Sequence, residues 1–123
     1  MMRIVVKRIY EKPDPDDGYR VLVDRLWPRG LKKEQVHVHE WVKDIAPSDS
    51  LRKWFGHDPQ KWKGFQEKYQ EELKEHELLL KELIKRAQSH GKLTLLFGAK
   101  DEKHNQAVVL QQVMQKLASS MHV

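Results

Sequence analysis

The sequence predicts a single α/β domain spanning residues 1–123, with a small, mostly parallel sheet of about four strands flanked by helices. Short apolar runs bounded by charged or turn residues, at 3–9, 19–25 and 92–97, are typical of strands. Elsewhere apolar residues recur at steps of three, four or seven, which is typical of amphipathic helices. The alternation of these two patterns within 123 residues favours one layered domain.

The composition predicts one core beneath a charged surface and excludes several kinds of site. Hydrophobic residues make up 39% of the chain and charged residues 33%. There is no cysteine, which excludes disulfides, thiolate catalysis and Cys-ligated metal centres. The net charge of +5 is spread along the chain rather than gathered in a tail. No apolar run is long enough for a signal peptide or a membrane span, so we expect a cytoplasmic protein without a membrane partner.

The first half of the chain reads as strands and loops. The strand at 3–9 is followed by the solvated loop EKPDPDDG at 11–18 and the strand at 19–25. The sequence leaves open whether these strands form a hairpin or have another strand between them. Residues 31–35 form at most one helical turn, and the alternation in VHVHEWV predicts an edge strand at 36–42.

The second half reads mainly as helices. Ser48 or Ser50 caps a helix whose buried face includes Leu51 and Trp54, and Asp58 before a proline begins the next one. An unbroken helix over 59–89 would span roughly 46 Å and project from the domain, where it would invite a partner. The charged KEHE at 74–77 therefore predicts a break. The run at 92–97 predicts the central strand, and a last helix covers about 102 to 118.

The candidate site follows from the stretch VLVDRLWPRG at 21–30. Asp24 and Arg25 follow a buried strand, and Arg8 and Lys100 also come at or after strand ends. Because ligands of open α/β sheets bind outside the carboxyl ends of parallel strands, we expect these groups to form an anion pocket. The expected substrate-binding residues are Arg8, Arg25, Trp27, Arg29, Lys43 and Asn105, and the expected catalytic residues of an enzyme are Asp24, Asp101 and Lys100.

A structural interpretation of the same residues stays open. Asp24 would then hold Arg25 or Arg29 in an ion pair, and Asp101 would hold Lys100, without doing chemistry.

Two other groups of side chains have structural interpretations. Two histidines in VHVHEWV, His37 and His39, are half of a metal site at most, because zinc needs three or four ligands. We therefore expect no metal and no cofactor. Trp54 and Trp62 are assigned to the core by their helical spacing, whereas Trp27 is retained as a ligand contact.

Several strings together resemble the YeaO-like bacterial proteins, a family of unknown function. They are DRLWPRG, WVKDIAPS, LRKWFGHDP, W-x-x-F-x-x-x-Y and TLLFGAKD-x-x-x-N. The resemblance covers about Arg8 to Leu117 and implies a compact cytoplasmic α/β domain, with no activity to carry over. The broader family includes members with a Cys-His-Arg string after the late strand. Here that region reads His104-Asn105-Gln106, so no thiol or metal role is transferred.

Three functions are compatible with the sequence. The first is a strand-end pocket for a phosphorylated small molecule or nucleotide, with hydrolase or transferase activity as its enzymatic form. The second is a non-enzymatic nucleic-acid-binding module that uses the same cations. The third is a protein-interaction domain that uses the helix at 59–89.

Overall fold

A computed structural model describes residues 2–121, which contain one four-stranded sheet with all strands parallel. The strands are β1 (Arg3–Arg8), β2 (Tyr19–Leu22), β3 (Glu40–Trp41) and β4 (Lys92–Phe97). Their spatial order is β1-β4-β2-β3, so β4 is central, as the sequence predicts. Because β4 lies between β1 and β2, those two strands do not form a hairpin. The predicted α/β class is confirmed.

Both faces of the sheet are covered, which explains the apolar runs in its strands. On one face, Val21, Leu93 and Leu95 pack in the main core, against the larger helices. On the other face, Leu22 and Leu96 pack in a smaller core, formed with residues from the segment between β2 and β3 and from the end of β1.

Five α-helices lie within the described residues. They are α1 (Lys33–Val36), α2 (Asp49–Phe55), α3 (Trp62–Leu73), α4 (Glu77–Ala87) and α5 (Gln106–Ser120). Ser48 caps α2 through its hydroxyl, which accepts a hydrogen bond from the Leu51 N–H at 3.2 Å. None of the helices within residues 2–121 is long and apolar enough to cross a membrane.

The predicted break in the 59–89 helix is confirmed. A 3-10 turn at Lys74–His76 separates α3 from α4, where the apolar stripe lapses. The stripe itself is buried in the main core through residues such as Tyr69, Leu80 and Leu83. It is therefore covered within the chain and leaves no long apolar face projecting into solvent.

The predicted strand at 36–42 is wrong except for its last part. Val36 ends α1, His37 adopts a left-handed conformation with φ 48°, and only Glu40–Trp41 forms a strand, at the edge of the sheet. The cause is Arg20, whose guanidinium binds the carbonyl oxygens of Val36 at 2.7 Å and His37 at 3.1 Å. Alternation in the sequence does not reveal a side chain that captures the backbone in this way.

The structure also differs from the sequence prediction at the start of the last helix, at the end of the second strand and in the burial of Trp54. The last helix begins at Gln106, because Asn105 caps it by accepting the Ala107 N–H at 2.9 Å. The second strand ends at Leu22, although the Val23 N–H still donates to the Leu96 carbonyl at 3.0 Å. Trp54 is 39% exposed instead of buried in the core.

Candidate functional site

A cleft of about 260 Å³ lies beyond the carboxyl ends of β2 and β4, where the chain enters α5. Its apolar wall consists of Leu26, Ala46, Pro47, Phe55 and Phe65, with Ala99 beside them. Its polar groups are Asp24, Arg25, Arg52, His57, His104, Asn105 and Gln106. The cleft thus combines two guanidiniums, one carboxylate and two imidazoles around an aromatic surface.

Asp24 is the carboxylate of the cleft, and backbone and side-chain amides hold it. Its Oδ2 accepts the Gly98 N–H at 2.8 Å, and its Oδ1 accepts the side-chain amide of Gln106. The indole of Trp41 donates to the Asp24 carbonyl oxygen at 2.7 Å. Burial raises the pKa of Asp24 to about 6, although both hydrogen bonds to the carboxylate act to lower it.

Arg25 and Arg52 bring positive charge to the rim of the cleft. Both guanidiniums approach the same exposed carboxylate oxygen of Asp49, Arg25 Nε at 3.4 Å and Arg52 Nη2 at 3.5 Å. Arg25 also donates through Nη2 to the Pro47 carbonyl at 3.2 Å. Its Nε is buried and makes no hydrogen bond within residues 2–121. Two cations therefore share one anion at this rim.

The cleft contains two histidines, one with a fixed side chain and one with an unusual backbone conformation. His104 Nδ1 lies 2.9 Å from Asp101 Oδ2, and the imidazole meets the Trp62 ring edge-on at 5.2 Å. A hydrogen bond to Asp101 through Nδ1 leaves Nε2 as the free ring nitrogen of His104. His57 has a left-handed backbone with φ 57°, which is uncommon for a residue other than glycine.

Three of the residues expected at the site line this cleft: Asp24, Arg25 and Asn105. Asn105 is buried and makes structural hydrogen bonds, because its amide caps α5 and donates to the Asp101 carbonyl at 2.9 Å. Asp101 stands behind His104 and closes the preceding turn, accepting the N–H groups of Lys103 and His104.

Other expected residues lie at the same edge of the sheet but outside the cleft. Arg8 follows β1 and donates to the carbonyl oxygens of Ala99 at 2.9 Å and Gly98 at 3.4 Å. Its guanidinium also lies 5.0 Å from the centre of the Tyr10 ring. Lys100 follows β4 and is exposed. Arg8 thus ties the end of β1 to the end of β4.

Of the remaining three, Trp27 and Arg29 lie on the segment between β2 and β3, and Lys43 follows β3. Trp27 packs against the smaller core and donates through its indole to the Leu31 carbonyl at 2.7 Å. Lys43 is exposed, with its Nζ 4.2 Å from the centre of the Trp41 ring. Arg29 is exposed, and its carbonyl accepts the Tyr10 hydroxyl. None of the three lines the cleft.

The ion pairs considered as a structural alternative do not form within the described residues. Arg25 approaches Asp49 instead of Asp24, and Asp101 pairs with His104 instead of Lys100. Arg52, His104 and Gln106 also line the cleft, although the sequence pattern does not predict them as site residues. Only the spacing of Asp101 and His104, three residues apart before a helix, could have indicated one of them.

A larger and more open depression, of about 610 Å³, lies near the amino end of β2. Its one guanidinium, that of Arg20, is already bound by Asp17 and by the carbonyl oxygens of Val36 and His37. Within residues 2–121, no group of three or more histidine, aspartate or glutamate side chains is placed to hold a metal ion. The strand-end cleft is therefore the better candidate site.

Comparisons with known proteins find related sequences along nearly the whole chain. A family model described as the inactive DUF488-N3 subclade matches residues 3–122. The chain is 44% identical over 116 residues to the uncharacterized protein YeaO of Escherichia coli K12, which covers 94% of this chain and 100% of that protein. It is 39% identical over 112 residues to the uncharacterized protein Rv3073c of Mycobacterium tuberculosis H37Rv, covering 91% and 93%. No solved structure matches significantly.

Proposed function

The chain belongs to the YeaO-like family, within the inactive DUF488-N3 subclade. From the geometry of its strand-end cleft we propose that the protein binds a phosphate-bearing small molecule without transforming it. The description of the subclade as inactive favours binding over hydrolysis or transfer. The absence of cysteine also removes the most nucleophilic side chain from the chemistry of this chain.

The observation that carries the proposal is the pair of guanidiniums at the rim. Arg25 and Arg52 face a single carboxylate, Asp49, whose side chain is 61% exposed. One positive charge is therefore left without a counterion, and Arg25 Nε has no hydrogen-bond partner among the described residues. The planar fork of arginine donates two parallel hydrogen bonds to phosphate oxygens, so a phosphate monoester matches this rim.

The size and wall of the cleft support a small ligand. Its volume of about 260 Å³ is near the lower end of the range for ligand pockets. Phe55 and Phe65 stack at 4.4 Å and give the cleft an apolar wall, against which a nonpolar part of the ligand can pack. A polymer would need an extended groove instead of an enclosure of this size.

In this proposal Asp24, Arg25 and Arg52 are the ligand-contacting groups. Gln106 positions Asp24, and Asn105 caps α5 beside the cleft. Asp101 positions the His104 imidazole through Nδ1, and Nε2 is the ring nitrogen that does not contact Asp101. The proposed ligand contacts do not include five of the residues expected at the site, because these lie outside the cleft: Arg8, Trp27, Arg29, Lys43 and Lys100.

A thermal-shift series tests the proposal. We expect phosphate monoesters such as adenosine 5′-monophosphate to raise the melting temperature of the protein. A ligand at one hundred times its dissociation constant adds roughly 2.7 kcal/mol to the free energy of unfolding. For a domain of this size the midpoint should then rise by several degrees. Arg25→Ala and Arg52→Ala should each remove most of the shift.

Arg29→Ala is the matched control, because Arg29 is an exposed arginine four residues from Arg25 and outside the cleft. It should keep the full shift. No shift with any monoester, or equal shifts in Arg25→Ala and the parent protein, would refute the proposal. A shift with single-stranded oligonucleotides alone, falling steeply with salt, would instead identify a nucleic-acid-binding module.

A further inference from the structure

Asp24 is a shielded carboxylate that lacks a counter-charge. Within residues 2–121, no lysine, arginine or histidine lies within ion-pair distance of it. Its two hydrogen bonds come from neutral amides, those of Gly98 and Gln106. Placing an uncompensated carboxylate in a partly dry site opposes folding. The contacts of Asp24 within the chain therefore do not explain why a carboxylate is placed at this position.

Three separate elements fix its position. The end of β4 supplies the Gly98 N–H, the first residue of α5 supplies the Gln106 amide, and Trp41 of β3 holds the Asp24 backbone. A Cβ atom on residue 98 would lie 2.8 Å from Asp24 Oδ2. A side chain at residue 98 would therefore displace the carboxylate from its present position. The carboxylate is preorganised and does not swing freely.

The carboxylate also keeps unused hydrogen-bonding capacity on the side of the cleft. An ionised carboxylate offers about four acceptor positions, and the chain fills two of them. Since Asp24 lines the cleft, the unused positions are available to a ligand. A carboxylate repels a bare phosphate and attracts a hydroxyl or an amino group.

On the basis of the proposed function, we propose that the ligand is a phosphorylated ribose, free or within a nucleoside monophosphate, and that Asp24 accepts a hydrogen bond from one of its hydroxyl or amino groups. A ribose phosphate carries its phosphate and its hydroxyl groups a few bonds apart. Arg25 and Asp24 both line the cleft, so a ligand bound there can meet a cation through its phosphate and a carboxylate through a hydroxyl group. Phe55 and Phe65 line the cleft but are only 6% and 2% exposed, so they offer a base a small apolar contact instead of an open face for stacking.

Titration calorimetry at pH 7.5 on the full chain tests this assignment. The probes are inorganic phosphate, ribose 5-phosphate and adenosine 5′-monophosphate, and the variant is Asp24→Asn, which keeps the shape and removes the charge. Loss of a hydrogen bond to a charged group should weaken the binding of at least one ribose phosphate by about 10- to 100-fold. Inorganic phosphate should bind equally well or more tightly, because a repulsive charge has gone.

The pattern across the probes identifies the donor. Weakening of both ribose phosphates places the sugar hydroxyls on Asp24, whereas weakening of the adenosine nucleotide alone places its amino group there. Either result supports the assignment. The affinity for inorganic phosphate in the same variant also shows that the cleft is intact.

Two outcomes overturn the assignment, and they are distinguishable. If Asp24→Asn binds every ribose phosphate as tightly as the parent protein or more tightly, Asp24 does not contact the ligand. The proposed function then survives, provided that Arg25→Ala still abolishes binding. If the parent protein binds none of the three probes, the proposed function fails together with the assignment.

Discussion

Two carboxylates stand at opposite ends of β2, and the chain treats them in opposite ways. Asp17, before the strand, is only 6% exposed and receives Lys7 Nζ at 2.9 Å and Arg20 Nη1 at 2.5 Å. Asp24, after the strand, is shielded in the cleft and pairs with no cation of residues 2–121. The Asp17 carboxylate joins β1 to β2 through its ion pairs with Lys7 and Arg20. The Asp24 carboxylate accepts two hydrogen bonds within the chain and keeps acceptor positions that a ligand can use.

The pKa values follow the same division. Burial alone would raise the pKa of Asp17, but hydrogen bonds from Lys7, the Asp14 N–H and Arg20, with the charge of Lys7, bring it below its ordinary value. At Asp24 burial dominates, and the pKa rises to about 6. Burial on its own therefore does not set the direction of the shift, which depends on whether a counter-charge is present. Strongly perturbed groups in clefts are candidates for function.

The largest expected effect is at the paired carboxylate. Asp17→Asn leaves Lys7 and Arg20 without their counterion, so the free energy of unfolding should fall by about 3–5 kcal/mol. Urea denaturation at pH 7 measures this loss. Asp16→Asn is the control, since Asp16 is the exposed neighbour in the same turn and should change stability little. A loss below 1 kcal/mol for Asp17→Asn would contradict a structural role for the ion pairs of Asp17.

The effect at the unpaired carboxylate should be smaller and of opposite sign. Because the folded pKa of Asp24 lies above the unfolded value of 3.8, ionisation of this group disfavours folding. Its destabilising effect appears as the pH rises from about 4 through 6. Asp24→Asn should therefore stabilise the protein at pH 7.5 by about 2–3 kcal/mol, the energy equivalent of this shift.

Denaturation curves for the parent and Asp24→Asn at pH 4, 5, 6 and 7.5 measure this effect as a difference between the two proteins. The difference should be near zero at pH 4 and should grow until the pH passes 6. A constant difference across the series would mean that Asp24 does not titrate above its ordinary range.

The smallest expected effect concerns His39, beside the Asp17 network. The Arg20 backbone N–H donates to His39 Nδ1 at 2.9 Å, and the ring stacks on Tyr19 at 5.0 Å. Burial first, and then the charges of His90 and Arg20, lower the pKa of His39. Its contribution to stability is present above pH 6.5 and is lost as the pH falls below that value.

The His39→Gln variant tests this contribution. The stability of the parent relative to His39→Gln should decline between pH 7 and pH 5 by a small amount, because the imidazole is exposed. An increase in the relative stability of the parent below pH 6 would contradict the lowered pKa.

Much of the fold follows from local sequence patterns, because those patterns report burial. The runs RIVVKR and KLTLLF become β1 and β4, and the lapse of the apolar stripe at KEHE becomes the break between α3 and α4. The wrong prediction of a strand at 36–42 has a different cause. Arg20, sixteen residues before Val36, binds the carbonyl oxygens of Val36 and His37, and no periodicity within VHVHEWV encodes that contact.

The candidate site was predictable only where residues follow strand ends directly. Asp24 and Arg25 reach the cleft for that reason, since all strands of the sheet are parallel. Arg8 shares their edge, but the carbonyl oxygens of Gly98 and Ala99 bind its guanidinium. Arg52 and His104 enter from a helix and a turn, whose placement depends on packing between distant segments. Apart from the three-residue spacing of Asp101 and His104, the sequence pattern does not indicate that packing.

The central position of β4 has a consequence for the order in which the chain folds. β1 and β2 each pair with β4, and β4 comprises residues 92–97. On a ribosome, β2 must wait for about seventy further residues and β1 for more than eighty before β4 is available to pair with them, apart from the short pairing of β2 with β3. Long-range pairing of this kind slows folding and leaves strand edges open. We therefore expect nascent chains that end before residue 92 to need chaperone protection.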